Sequence, residues 1–388
     1  MADHIPFITS RQALKLARSI YGDSSVVRVG LDLAAKLNPD RNRVKLWIDP
    51  GFDGLHDLPS RLTDSAWYKI IRSIQGFEEL SKPAFISKPK PDIVETFVNA
   101  LLDRCLKHNP HWITVPQLPA VNDSVRNKIN RELARATGKW KSSGKFAGRL
   151  ILPLIFTRPE QTRGKTQRNP KLEQAHRCYD ESQADGIWTV DTSIPEETRS
   201  VTIRNMRFKA NIALHKELND TIPSRIRIAG PYWGLNLLLW ARGLIDYPAI
   251  GIGSTYQYYM PGGHANPPSA RLAISPLRRR VNVEQLNRWL TQTLKIIGAS
   301  HPDFLELDRI RRQLTVLSDE DTARQQVATF YKRWFDIIAA TPAAGRSLGL
   351  FQDLSRAFAL GRSLPDFLTE DAARSAESVV EPLMINCL

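Results

Sequence analysis

The chain has 388 residues, 42% hydrophobic and 24% charged, enough to bury a full core and too apolar for a disordered tail. Its 54 Lys and Arg against 40 Asp and Glu give a net charge of +14, which favours polyanionic partners, with nucleic acid the commonest. Three scattered cysteines, Cys105, Cys178 and Cys387, exclude a disulfide framework and a Cys-only zinc site; with no secretory-type apolar stretch at the start and no window near the ~18 apolar residues of a membrane span, the chain reads as cytoplasmic, with no membrane partner.

After a helical lead at Arg11–Tyr21, short apolar runs recur, each closed by Pro, Gly or polar residues and mostly followed by a helical pattern. The runs are 44–49, 83–87, 112–115, 149–157, 186–191, 225–229 and 249–253, with an eighth at 26–31. Between them, 92–107, 123–136 and 198–218 carry apolar residues at helical spacing. Seven or eight strand–helix repeats predict an α/β fold, a TIM-like (β/α)8 barrel, in preference to an open doubly wound sheet. From Val281 the pattern changes to helices alone, at 283–297, 303–317, 322–340 and 350–360. The expected organisation is therefore a lead over 1–43, a barrel over 44–262, a basic linker over 263–280 and a C-terminal α-helical domain over 281–388.

In such barrels the chemistry sits where strands end, because the loops at the carboxyl edge converge on one mouth. The run at 44–49 ends in Asp49-Pro50-Gly51-Phe52-Asp53-Gly54, two carboxylates in a glycine turn around an aromatic ring. Phe52 would stack on a base there while a carboxylate accepts its exocyclic N–H groups; the plainer role is a turn that satisfies its own backbone. Asp191 ends another run and is a candidate nucleophile or general base, or else the N-cap of the next helix. Gln117 has donors and an acceptor suited to a base edge. Gly230-Pro231-Tyr232-Trp233-Gly234 precedes an apolar helix whose first amides suit an anion, and Tyr256, in a Tyr-rich stretch, is a candidate for stacking.

Cations cluster in two places. Between Lys139 and Arg168 eight cations, among them Lys139, Lys141, Lys145, Arg163, Lys165 and Arg168, face the single acid Glu160, with Trp140 and Phe146 interleaved. Arg278, Arg279 and Arg280 form the second cluster. Together they would track a phosphate backbone while a base enters the barrel; a merely solvated face is the alternative. His108 with His111, and His176 with Cys178, lack the spacing of a zinc site, and no GxGxxG, GxxxxGK[ST], GxSxG or HExxH occurs, so neither metal nor cofactor is expected.

The Asp-containing glycine turn at Asp49–Gly54, and the passage Arg225–Gly253 with its Gly-Pro strand ending, apolar helix and Ala241-Arg242-Gly243, resemble the tRNA-guanine transglycosylases and their relatives that insert 7-deazaguanine bases into DNA. The resemblance covers about half the chain. It implies a barrel that flips a guanine and exchanges it through a covalent Asp–sugar intermediate. Where that family's nucleophile would fall this chain has Tyr247–Gly251, with Asp246 just upstream, and the family's Cys-rich zinc site has no counterpart; Asp49, Asp191 and Asp246 are the carboxylates that remain for catalysis. The expectation is a nucleic-acid-binding barrel, transglycosylase-like if active, with DNA or RNA as partner. A non-catalytic subunit working with other proteins, or a small-molecule enzyme, are the alternatives.

Overall fold

The computed structural model describes the chain except residues 1–3, 23–24, 38–43, 56–64, 82–87, 120–123, 157–169, 193, 195–200, 253–270, 318 and 365–379. Eight parallel strands close into a barrel in chain order: β1 (Ile5–Ile8), β2 (Val26–Gly30), β3 (Lys45–Asp49), β4 (Trp112–Thr114), β5 (Arg149–Phe156), β6 (Gly186–Asp191), β7 (Arg227–Ala229) and β8 (Tyr247–Gly251). Closure is made by β1, whose Ile5 pairs with Ala249 of β8 and whose Phe7 pairs with Arg28 of β2. The outer layer comprises α1 (Arg11–Tyr21), α2 (Leu31–Ala34), α3 (Ala66–Arg72), α4 (Phe77–Leu80), α5 (Pro91–Leu106), α6 (Ser124–Ser142), α7 (Pro170–Ser182), α8 (Val201–Thr221) and α9 (Leu235–Ala241).

Strands buried on both faces must be apolar throughout, which is why β5 reads as one run from Leu150 to Phe156. Serine hydroxyls start the helices where the first amides lack partners: Ser10 accepts from the Ala13 N–H at 3.0 Å and Ser65 from the Tyr68 N–H at 3.1 Å. The barrel interior is aromatic. Phe7, Trp47, Trp112 and Trp188 fill it with Ile5, Ile151, Ile155, Val190 and Ile228. The buried indole N–H groups are satisfied, Trp47 donating to the Thr114 hydroxyl at 2.9 Å and Trp188 to the Gly230 carbonyl at 2.8 Å.

The barrel thus begins at Ile5. A boundary at 44 leaves β1 and β2 outside it; β1 is four residues long and sits directly before a strong helical pattern, so it carries little periodic signal. The run at 83–87 lies outside the described residues, and β3 pairs directly with β4 through Trp47 and Trp112. After β8 the chain forms an antiparallel pair, β9 (Arg271–Ile274) and β10 (Arg279–Asn282), where a linker was expected. There follow α10 (Val283–Ile297), α11 (Phe304–Leu317), α12 (Glu320–Ala339) and α13 (Arg346–Ser363).

These last elements do not form one separate domain. The β9–β10 pair, α10 and α11 share a small core around Leu286, Trp289, Leu290 and Leu307. Helix α12 instead buries Val327, Phe330, Tyr331, Trp334 and Phe335 in the main core. Phe335 meets Trp240 of α9 at 4.4 Å and His4, just before β1, at 4.2 Å between ring centres. Helix α12 therefore occupies the eighth position of the barrel's outer layer, between α9 and α1. Among the described residues no helix is long and apolar enough to cross a membrane.

Candidate functional site

At the carboxyl edge of the barrel Arg28 and Asp49 form a buried ion pair. Asp49 ends β3, and Arg28 in β2 lies opposite Trp47, so the guanidinium reaches one step along the barrel to the carboxylate. Arg28 Nε donates to Asp49 Oδ2 at 2.9 Å and its Nη2 bonds the same oxygen; the Gly51 N–H donates to Oδ1 at 2.9 Å. Gly51 makes that turn at a φ of 67°, a left-handed conformation that favours glycine. The guanidinium carbon lies 4.6 Å from the Phe7 ring centre and 5.1 Å from that of Trp188, so two aromatic rings hold the cation in the barrel's axis. The Arg28 side chain retains 12% exposure and that of Asp49 2%. Cys105 of α5 lies behind; burial first, and then the charge of Asp49, push its thiol up, which leaves it unreactive at neutral pH.

The other candidates at this edge are committed to structure. Phe52 is buried against Phe97 of α5, with ring centres 5.7 Å apart, and cannot stack on a base. Asp53 is buried beside it in the turn Phe52–Leu55. Gln117 donates through Nε2 to the Asn130 carbonyl at 2.9 Å, while the Asn130 side chain clamps both backbone groups of Leu118; this is loop fixation. Trp188 and Val190 face the barrel interior, so strand alternation turns Asp191 toward the helical layer. There its N–H donates to the Tyr232 hydroxyl, and burial together with the Asp191 charge raises Tyr232 well above the ordinary phenol range. Asp49 and Asp191 end two strands of one barrel yet enter different layers.

The anion site expected after β7 is already filled. The Gly230 carbonyl takes the Trp188 indole, the Gly234 N–H donates to the Tyr331 hydroxyl at 3.2 Å, and a Cβ on Gly234 would lie 2.4 Å from a Leu383 methyl. Asp246 is at the wrong end. It precedes β8 and so lies on the amino-terminal face, where it pairs with Arg227 of β7 in a two-pronged bond of 3.0 and 2.9 Å and accepts the Arg227 N–H at 2.9 Å.

Lys139, Lys141 and Lys145 of the first cluster are ion-paired, with Lys139 and Lys145 still exposed, and the cations of the second are largely buried. Lys139 pairs with Glu95 at 2.6 Å, Lys141 with Asp185 at 2.8 Å and Lys145 with Asp103 at 3.2 Å, on the face from which β5 starts; Trp140 and Phe146 are buried. Arg278 forks onto Asp353 at 2.7 and 2.6 Å, and Arg279 and Arg280 are buried, Arg280 lying 5.0 Å from the Trp233 ring centre. In the β9–β10 pair Arg280 stands opposite Ala273, which belongs to the main core, and Arg279 opposite Ile274, which belongs to the small one. Tyr256, Arg163, Lys165 and Arg168 lie outside the described residues. Among the described residues no group of three His, Cys, Asp or Glu side chains could hold a metal ion.

Arg28 is the residue that sequence reasoning passed over. A lone cation in the run VVRVG interrupts an apolar strand, and that interruption, matched to an Asp ending the next strand, is the available signal. Neither the models of known protein families nor the curated proteins contain a match to this chain.

Proposed function

We propose that the protein binds nucleic acid, DNA or RNA, at the carboxyl-edge mouth of the barrel, with a base entering toward the Arg28–Asp49 pair and the phosphates held at the rim. The observation that carries this reading is the pair itself. Arg28 and Asp49 pair in a buried aromatic setting, so bringing a further bare charge to that depth costs several kcal/mol of desolvation. A neutral, planar group with donors and acceptors avoids that cost and can meet the Arg28 guanidinium, whose side chain keeps 12% exposure. Rim phosphates find support in the sequence that directly follows β5, where Arg158, Arg163, Lys165 and Arg168 stand against Glu160 alone. Base exchange of the transglycosylase kind needs a strand-end carboxylate able to attack a sugar. Asp49 is locked in its pair and Asp246 is on the opposite face, so the reading rests on binding.

The test is fluorescence anisotropy with labelled single-stranded DNA and RNA across a salt series. Affinity should fall steeply with salt, with a log–log slope of about −3. Replacing Arg163, Lys165 and Arg168 together by Ala should flatten that slope by about 2. Arg28→Met should weaken binding by about tenfold without changing the slope, because it removes a base contact and no phosphate contact. Absence of binding at low salt, or an Arg28→Met protein that binds like the parent, overturns the proposal.

A further inference from the structure

At the seam where α12 closes the barrel, His4 sits almost fully buried with neither ring nitrogen hydrogen-bonded. Its cage is aromatic: Phe335 at 4.2 Å and Tyr331 at 5.4 Å from α12, Tyr21 at 5.9 Å from α1, measured between ring centres. The titratable and charged groups facing it are Tyr21 from α1 and Tyr331 and Lys332 from α12, with Lys332 itself paired to Asp336. Among the described residues no carboxylate faces the ring to receive a proton's charge. Tyr331 connects this cage to the turn after β7: its hydroxyl accepts from the Gly234 N–H and lies within donating reach of the Tyr232 carbonyl, at 3.3 Å, and of the Asn236 amide oxygen. Elsewhere a groove of about 330 Å³, lined by Gln12, Leu16, Ser19, Thr322 and Gln325, runs between α12 and α1, bridged by a hydrogen bond from the Gln12 amide to Asp321.

We infer that His4 is a proton-sensitive latch: neutral, it fits the cage and holds α12 against the barrel; charged, it cannot stay, and α12 with Tyr331 is released from the β7–α9 turn. The inference rests on the fold alone and not on the nucleic-acid reading. Burial first, and Lys332 second, bring the His4 pKa from 6.5 down to about 3. A folded-state pKa below the unfolded value means that the latch is fully closed above pH 6.5 and loses hold progressively as the pH falls from 6.5 toward 3. Between pH 7 and pH 5 the opening equilibrium of α12 rises by about 25-fold.

Hydrogen exchange by mass spectrometry, corrected for intrinsic rates, reads this directly. In the parent protein the α12 amides should gain about 25-fold in exchange between pH 7 and pH 5 while α6, which carries no histidine, stays constant; His4→Phe, which keeps the cage aromatic, should abolish the gain. An equal gain in His4→Phe, or a gain shared by α6, refutes the latch. Should His4→Phe fail to fold, the ring signals of His4 in the parent protein decide by NMR. A ring still neutral in the closed form at pH 5 supports the latch, and a midpoint near 6.5 overturns it.

Discussion

The two ends of the barrel each hold an Arg–Asp pair between neighbouring strands, and the pairs do different work. Arg227 and Asp246 lie on the amino-terminal face with 26% and 34% of their side chains exposed, and Asp246 also accepts a backbone N–H. Arg28 and Asp49 lie inside the carboxyl edge, between aromatic rings, with 12% and 2% exposed. The same two residue types tie down a strand start in one place and build a polar floor in an apolar chamber in the other. Solvent makes the difference: water screens the first pair and leaves its removal cheap, whereas the second is buried, where losing one member costs more.

The largest expected effect follows from that burial. Asp49→Ala takes from Arg28 the carboxylate it pairs with between Phe7 and Trp188, and should cost about 3–5 kcal/mol in urea unfolding. The double replacement Arg28→Met with Asp49→Leu should recover most of that loss, because a buried pair contributes little net stability over apolar residues of similar volume. If the double variant is stable and no longer binds nucleic acid, the pair serves the ligand. If it is as unstable as Asp49→Ala, the pair is a structural element like the one at the other end.

Asp246→Ala tests that other end. It removes two half-exposed ion-pair bonds and the acceptor for the Arg227 N–H, so a loss of about 1–2 kcal/mol in the same assay is expected, with affinity for oligonucleotides unchanged. A binding defect here would mean that the amino-terminal face takes part in the site, and the contrast between the two ends would fail.

How far the sequence reveals this contrast depends on what each signal encodes. The continuous apolar runs of β3, β5 and β6 announce strands buried on both faces, and they suffice for a (β/α)8 barrel. The closing strand β1 is hidden because four residues show no alternation, and the eighth helix because α12 is separated from β8 by β9, β10, α10 and α11. Asp246 was legible and misjudged: it precedes its strand, which places it on the amino-terminal face whatever its chemistry. Asp191 fails for a subtler reason, the parity set by Trp188 and Val190, which becomes known only once the interior residues are identified. Clustered cations mislead most, because ion-pair partners lie far off in sequence; Asp353 is 75 residues from Arg278 and Glu95 is 44 from Lys139.

That last pair gives the smallest effect. Lys139 is 65% exposed and Glu95 37%, so their 2.6 Å contact is formed in water, where the entropy of holding two long side chains offsets most of the attraction. Lys139→Ala should change stability by less than about 0.5 kcal/mol and, since it lies on the face from which β5 starts, should leave the salt slope of nucleic-acid binding as it was. A slope flattened by about 0.7 would instead mean that Lys139 gives up Glu95 for a phosphate. The amino-terminal face would then belong to the binding surface after all, and the division of labour between the two ends would have to be redrawn around charge and not around the direction of the strands.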